Sequence, residues 1–496
     1  MTGTQQNQAK APGSAANPAL SLDESALEST YAALRGIAAP ITRLPSKVLG
    51  QVFVRCLPAT NLNAVLCAEL PPLVLGRVCS GWRTAAWTTP VLWTRLHVAV
   101  AHVCARPGAA AAIEAWVQRA DYLPLRLSVA YRPGQSVDAG FLRWLMALCE
   151  GRLAHLQLID PPLALDADLQ SVRSLRITST PDALGHRDHA MWAVPQLTAL
   201  ALDLRRGAPV GERFGREFFA LPLRWGQLTC AALRDAVEPG VIAELLRRCP
   251  GLRRLVVRVQ APFRSAADPA LVSHSALEAL IMLGGDNASG HDVTDFLTAA
   301  VALPNLRRLS LPATTTGDLP LALGTLFPRL TELSLSLKSV RRNTLLAALN
   351  GTSTLMALDL RYDAGPVGWS LPQLLELLAA PDRMPLLDRI TLDCVGDFEL
   401  AEIPVSDALR RIVAARAGTL RALRLCKPQH ADREEWARVC AAAATLGAAE
   451  LVSLAEMRVD EDTRLFGPTG LRRGTDSPKA GAWEGTPAVS TDWMSV

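Results

Sequence analysis

One six-residue pattern, apolar-x-x-apolar-x-apolar, recurs eleven times between Leu153 and Leu425 and constrains what this chain can fold into. It appears as Leu153/Leu156/Leu158, Val172/Leu175/Ile177, Leu197/Leu200/Leu202 and Leu228/Ala231/Leu233. It continues as Leu252/Leu255/Val257, Leu277/Leu280/Met282, Leu306/Leu309/Leu311 and Leu330/Leu333/Leu335. It closes with Leu355/Leu358/Leu360, Leu387/Ile390/Leu392 and Leu420/Leu423/Leu425. Successive first positions lie 19 to 33 residues apart, centred near 25. In every copy the last two apolar residues alternate with a variable one, the period of a strand with a single buried face. Helical spacing fills the intervals, as in Val241-Ile-Ala-Glu-Leu-Leu and Leu371-Pro-Gln-Leu-Leu-Glu-Leu-Leu. Before Val293-Thr-Asp-Phe-Leu, Asp292 is placed as an N-cap and Asp295 falls in the first turn, where the helix dipole favours an acid. Pro195, Pro304 and Pro328 each stand two residues ahead of a first position and punctuate the return to strand. One strand and one helix bury too little alone, so the units are expected to stack into a curved α/β solenoid with a parallel sheet on its concave side.

Composition removes several other destinations. Hydrophobic residues make up 49% of the chain against 20% charged, enough for an extensive core. A net charge of +4 over 496 residues gives no electrostatic case for a nucleic-acid partner. The ten cysteines include no CxxC pair, and Cys56, Cys67 and Cys79 sit among aliphatic residues, so buried thiols are expected and no metal site. The start MTGTQQNQAKAPGSAANPAL has no apolar signal region, which favours a reducing compartment, cytoplasmic, nuclear or both. No apolar window reaches the roughly 18 to 20 residues of a spanning helix, so no membrane partner is expected. GxxxxGK[ST], GxSxG and HExxH are absent. The HRDH at His186–His189 lacks a kinase lysine or DFG context and reads as an inter-repeat loop. No catalytic residue and no cofactor are therefore expected.

The period and the hexad resemble leucine-rich repeats. Regular members of that family place Asn or Cys a few residues after the third apolar position, and most units here do not, so uneven turns and curvature are expected. The resemblance implies that the variable strand positions line the concave face, where partners bind. Those positions include Arg176, Arg254, Arg258, Arg308, Arg361, Arg389 and Arg424, against fewer acids such as Asp203, Glu332, Asp359 and Asp393. A locally basic face would prefer an acidic or phosphorylated protein segment, because guanidinium forks match carboxylate and phosphate.

Ahead of the array, Ile41–Leu96 has another character. Leu44-Pro45 opens a helix, and the proline's missing N–H costs nothing in a first turn. Val48, Leu49, Val52 and Phe53 follow at helical spacing, then Val78, Cys79, Trp82 and Arg83, then Pro90, Leu92 and Trp93. The unit is too small to bury so much aliphatic and tryptophan surface, and part of it should face a partner. This ordered set resembles an F-box, and with the array behind it the chain resembles fungal F-box proteins of the basidiomycete type with C-terminal leucine-rich repeats. Where the family usually has an acid two places after the proline, this chain has Lys47.

The resemblance implies a non-catalytic adaptor of a Skp–cullin–F-box ubiquitin ligase. Leu44, Pro45, Val48, Leu49, Val52 and Trp82 would dock on the Skp adaptor and through it on cullin, with Trp93 structural. The repeats would hold a substrate protein. The second reading is a leucine-rich-repeat interaction scaffold without ligase docking. The expected organisation is a tail at 1–20, a short helix at 21–38, the F-box-like unit at 41–96 and a linking strand and helix at 97–150. The solenoid follows at 151–458, and a Gly/Pro/Ser-rich tail at 459–496.

Overall fold

In the computed structural model, each of the eleven hexads supplies one strand of a single parallel sheet, because its second and third apolar side chains point to the same side. The structure describes residues 41–57, 63–131, 139–161, 169–178, 194–203, 218–259, 272–283, 296–311, 323–363, 371–395, 411–427 and 452–456, apart from short gaps inside these runs. The expected tails, the 21–38 helix, the HRDH loop and the Asp292/Asp295 cap lie outside the described residues.

The strands in chain order begin with β1 (Arg95–Ala99), β2 (Leu125–Ala130), β3 (Leu153–Ile159), β4 (Ser174–Thr178) and β5 (Ala199–Asp203). The middle of the array is β6 (Cys230–Val237), β7 (Arg254–Val259), β8 (Val272–Ser273), β9 (Ala279–Leu283), β10 (Val301–Ala302) and β11 (Arg308–Leu311). The last are β12 (Glu332–Ser336), β13 (Ala357–Asp363), β14 (Arg389–Val395), β15 (Ala422–Lys427) and β16 (Val452–Glu456). Fourteen of them form one open sheet in sequence order, while β8 and β10 pair separately. Neighbours are parallel, with Leu156↔Leu175↔Leu200↔Ala231↔Leu255↔Leu280 in one register line. A parallel sheet whose strands follow the chain in order is the one expected from the repeat.

The hexad's least informative position holds the array in step. The residue after each first apolar position pairs through its backbone: Thr198 N–H donates to Arg173 O, Thr229 to Thr198, Arg253 to Thr229 and Glu278 to Arg253, all at 2.8 Å. The line runs on through Arg307, Thr331, Met356, Asp388 and Arg421, each donating to its predecessor at 2.7–2.8 Å. Side-chain identity varies there because the peptide group makes these bonds, and Thr198, Thr229 and Thr331 add an Oγ1 donor to the same carbonyls. Interval length is equally free, so steps of 19 and 33 residues join the same ladder.

The apolar ends of the hexads form one continuous core with the helices behind the sheet, such as Pro239–Arg248, where Ile242, Leu245 and Leu246 are buried. That core reaches from Leu49 to Leu423 without a break at residue 97 or 151. The stretch expected as a link thus supplies β1 and β2, the first strands of the sheet. Beyond β1, Val65 makes a parallel bridge with His97, and His97 N–H donates to Ala64 O at 2.7 Å. The N-terminal helical unit therefore continues the edge of the sheet.

Candidate docking surfaces

The helical end is built on α1 (Ser46–Cys56) and α2 (Ser80–Trp87). Pro45 is extended and Leu49 N–H closes the first turn on Pro45 O at 3.0 Å. The first turn of α1 carries no acid, and Lys47 stands exposed in it, uncomplemented by the helix dipole. Cys79 caps α2, its Sγ accepting from Trp82 N–H at 3.4 Å. Phe53 and Trp82 pack with ring centroids 4.9 Å apart, pinning α1 to α2. At Gly50 a Cβ would meet Thr89 Oγ1 at 2.9 Å, so the helix approaches the turn before Pro90 as closely as only glycine permits.

The apolar residues of α1 then divide into two stripes. Leu49 and Phe53 are buried, whereas Leu44, Val48 and Val52, spaced four apart on the other face, are 36%, 45% and 37% exposed. Of the six residues expected to dock, Leu44, Pro45, Val48 and Val52 lie on the surface, Trp82 is half-buried and Leu49 belongs to the core. Val78 at 58% exposure, with Trp87 and Val91, enlarges the exposed apolar area. The sequence signal for Val78 was its place in the ordered set; Trp87 and Val91 gave none.

Trp93 is structural. It is 1% exposed, donates from Nε1 to Ala86 O at 2.9 Å and meets Trp116 edge-on with centroids 4.9 Å apart. Trp116 Nε1 in turn donates to Trp93 O at 2.8 Å. The Arg119 guanidinium lies 4.8 Å from the ring centroids of both Trp87 and Trp93. These contacts join the helical unit to the Ala109–Arg119 helix of the array.

The second surface is the open face of the sheet, opposite the hexad leucines. All seven arginines singled out above are on it, since each alternates with core-facing neighbours. Arg254, Ala279, Arg308, Glu332, Ala357, Arg389 and Ala422 share one register row. Glu332 is shared, approached by Arg308 at 3.6 Å and by Arg389 at 3.3 Å. Arg176 is buried and pairs with Asp203 at 3.7 Å, so it braces the sheet. Burial lowers the Arg308 guanidinium from its ordinary value. Midway along the face, Ala199, Ala201, Ala232, Val256, Ile281 and Leu283 form a buried apolar cluster that the reading of a basic face did not anticipate.

At the β1–β4 end the open face carries Arg95, His97, Arg126, His155 and Arg176. His97 Nδ1 and Ser128 Oγ are 2.7 Å apart, and Asn63 Nδ2 donates to Ser128 Oγ at 3.1 Å. The His155 imidazole is pushed down to about 4 by burial and by the charges of Arg126, Arg173 and Arg95. An unfolded histidine titrates near 6.5, so the unfolded chain binds the extra proton between those values. This group's contribution to stability is complete above about pH 6.5 and is lost as pH falls toward 4.

Among the described residues no group of three His, Cys, Asp or Glu is placed to hold a metal. The thiols described are free, but of the three expected to be buried Cys56 and Cys79 are exposed and Cys67 is half-buried; burial pushes Cys149 and Cys249 up to about 12. No described helix is long and apolar enough to cross a membrane.

No family model matches the chain, and no curated protein matches it. Among solved structures it is similar to the leucine-rich repeat-containing protein LegL7 from Legionella pneumophila, at 17% identity and a TM-score of 0.35. That similarity covers 60% of this chain and 94% of the other. At so low a score it adds nothing to the strand order and register described above.

Proposed function

We propose that this chain is a two-ended protein adaptor. The helical unit docks on the Skp adaptor of a Skp–cullin–F-box ubiquitin ligase in the cytoplasm, the nucleus or both, and the open face of the sheet holds a substrate protein. Such a molecule carries no catalytic group of its own; it raises the effective concentration of substrate near the ligase. The observation that supports the docking end is the Leu44/Val48/Val52 stripe, left in solvent while the same helix buries Leu49 and Phe53. A helix that already has a core face and keeps a second apolar face suits a partner.

The test is capture of purified Skp adaptor by the full chain. Val48→Asp with Val52→Asp should weaken capture about tenfold or more, since central apolar anchors carry over 1 kcal/mol each. Leu49→Ala should act mainly by loosening the fold. Capture by neither wild type nor variant would leave the second reading, a leucine-rich-repeat scaffold without ligase docking.

At the substrate end, Arg254 and Arg308 flank Ala279, two strand spacings or about 10 Å apart. Arg254→Gln with Arg308→Gln should weaken binding of an acidic or phosphorylated segment several-fold at low ionic strength, the difference shrinking as salt rises. Titration of a fluorescent acidic peptide at two salt concentrations measures it. Equal affinities for variant and wild type would remove the basic row from the binding face.

A further inference from the structure

The positive charge of this chain is concentrated at one end. Between Ile41 and Arg119 the sequence holds eight Lys and Arg against two acids, a net +6. The whole chain carries +4, so everything outside that stretch is net −2. Within the basic stretch a large aromatic side chain stands in solvent, Trp87 at 48% exposure. Tryptophan and arginine are the residue types that dominate protein-binding hot spots.

Two arginines flank that ring. A Cβ at Gly76 would meet Trp87 Nε1 at 3.6 Å and Arg83 Cγ at 3.8 Å, so the indole edge and the Arg83 stem share one bare patch of backbone. Arg83 Nε donates to Gly76 O at 2.8 Å, which fixes the stem of this exposed side chain and leaves its Nη donors over. Arg119 is held differently, 4.8 Å from the centroids of Trp87 and of buried Trp93. Among the described residues its guanidinium has no hydrogen bond and no ion pair, only the two rings. Burial lowers it from its ordinary value, and no neighbouring charge offsets that. Charges taken out of water are normally paired or hydrogen-bonded, so this half-buried group is short of an acceptor. A ring covers the flat face of a guanidinium and leaves the N–H donors at its rim, where a planar carboxylate is received by two parallel bonds. The rings also hold the side chain in place beforehand, so little ordering remains to be lost on binding.

We propose that Trp87, Arg119 and Arg83 form a docking site for an acidic protein segment. Arg119 receives one carboxylate, an adjoining aliphatic side chain of the segment sits on Trp87, and Arg83 draws a second acid. No bond is made or broken. The site uses none of the six residues expected to grip the Skp adaptor and nothing on the open face of the sheet. It therefore stands whether or not the chain docks on a ligase.

The full chain, with its indole nitrogens labelled, tests this by magnetic resonance, the Trp87 N–H signal being assigned by its absence in Trp87→Phe. The probe is a short synthetic peptide of glutamate and leucine, compared at constant ionic strength with the same peptide carrying glutamine for glutamate. The Trp87 signal should move and saturate with the acidic peptide and stay in place with the glutamine peptide. Arg119→Gln should raise the half-saturating concentration about tenfold, the equivalent of one charged hydrogen bond. If that variant loosens the join to the array, Arg83→Gln, at an exposed position, should still raise it several-fold. An unmoved Trp87 signal, an equal response to both peptides, or unchanged affinity in both variants overturns the proposal. Saturation by an oligothymidine of equal charge at lower concentration also overturns it, assigning the site to nucleic acid.

Discussion

Replacing Arg416 with methionine should destabilise the C-terminal part of the array by about 3–5 kcal/mol, since three buried carbonyls lose a donor at about 1–3 kcal/mol each. Arg416 is 1% exposed and is anchored by carbonyls. Its Nε donates to Leu378 O at 2.6 Å, Nη1 to Met384 O at 2.9 Å and Nη2 to Ala380 O at 2.7 Å. Leu378 and Ala380 lie at the C-terminal end of the helix Leu371–Ala379, whose last carbonyls lack intrahelical donors and carry the negative end of the helix dipole. One planar guanidinium thus satisfies three acceptors at a helix end and the chain leading to β14. Methionine fills similar volume but leaves those carbonyls buried and unpaired. Lysine, with one compact ammonium, reaches fewer of them and should fall between the two.

In a repeat array each unit is stabilised chiefly by its neighbours, so the loss should be local. Hydrogen exchange should show protection falling in β14 and β15 while β3–β7 stay unchanged. A uniform loss along the whole sheet would contradict this account of Arg416.

Trp93→Ala is expected to cost about 3–5 kcal/mol, the range for deleting a buried tryptophan. It removes the edge-on contact with Trp116 and the indole bond to Ala86 O, and takes away one of the two rings around Arg119. Since these groups join α2 to the array, the helical unit should become protease-sensitive while the sheet stays resistant. Trp93→Phe keeps a ring but loses the indole donor and should cost only about 1–2 kcal/mol. Limited proteolysis followed by mass spectrometry distinguishes a released helical unit from general unfolding.

Much of the sheet was legible because strand periodicity is local. Every hexad became a strand, and the same spacing marks β1 as Trp93-x-x-Leu96-x-Val98, with tryptophan in the first place. At β2 the first place is held by Pro124, ahead of Leu127 and Val129, which broke the pattern. That the seven arginines share a face with the variable positions also followed from the period of two. Their partners did not, because the pair between Arg389 and Glu332 crosses from β14 to β12 over 57 residues of chain. Arg416 was equally hidden: its acceptors stand 32 to 38 residues earlier, and no local pattern announces them. At the helical end, composition revealed a surplus of apolar surface. Only packing separated Leu49, which is core, from Val48 beside it.

The unbroken strand order from β1 to β16 has a geometric consequence. Adjacent strands are spaced by about 4.8 Å, so the sheet acts as a graduated ruler whose zero lies against the helical unit. A guest seated on β14 is carried seven strand steps, about 34 Å along the sheet, farther from that zero than one seated on β5. Which row of residues a guest chooses therefore sets how far its own reachable side chains hang from whatever grips α1.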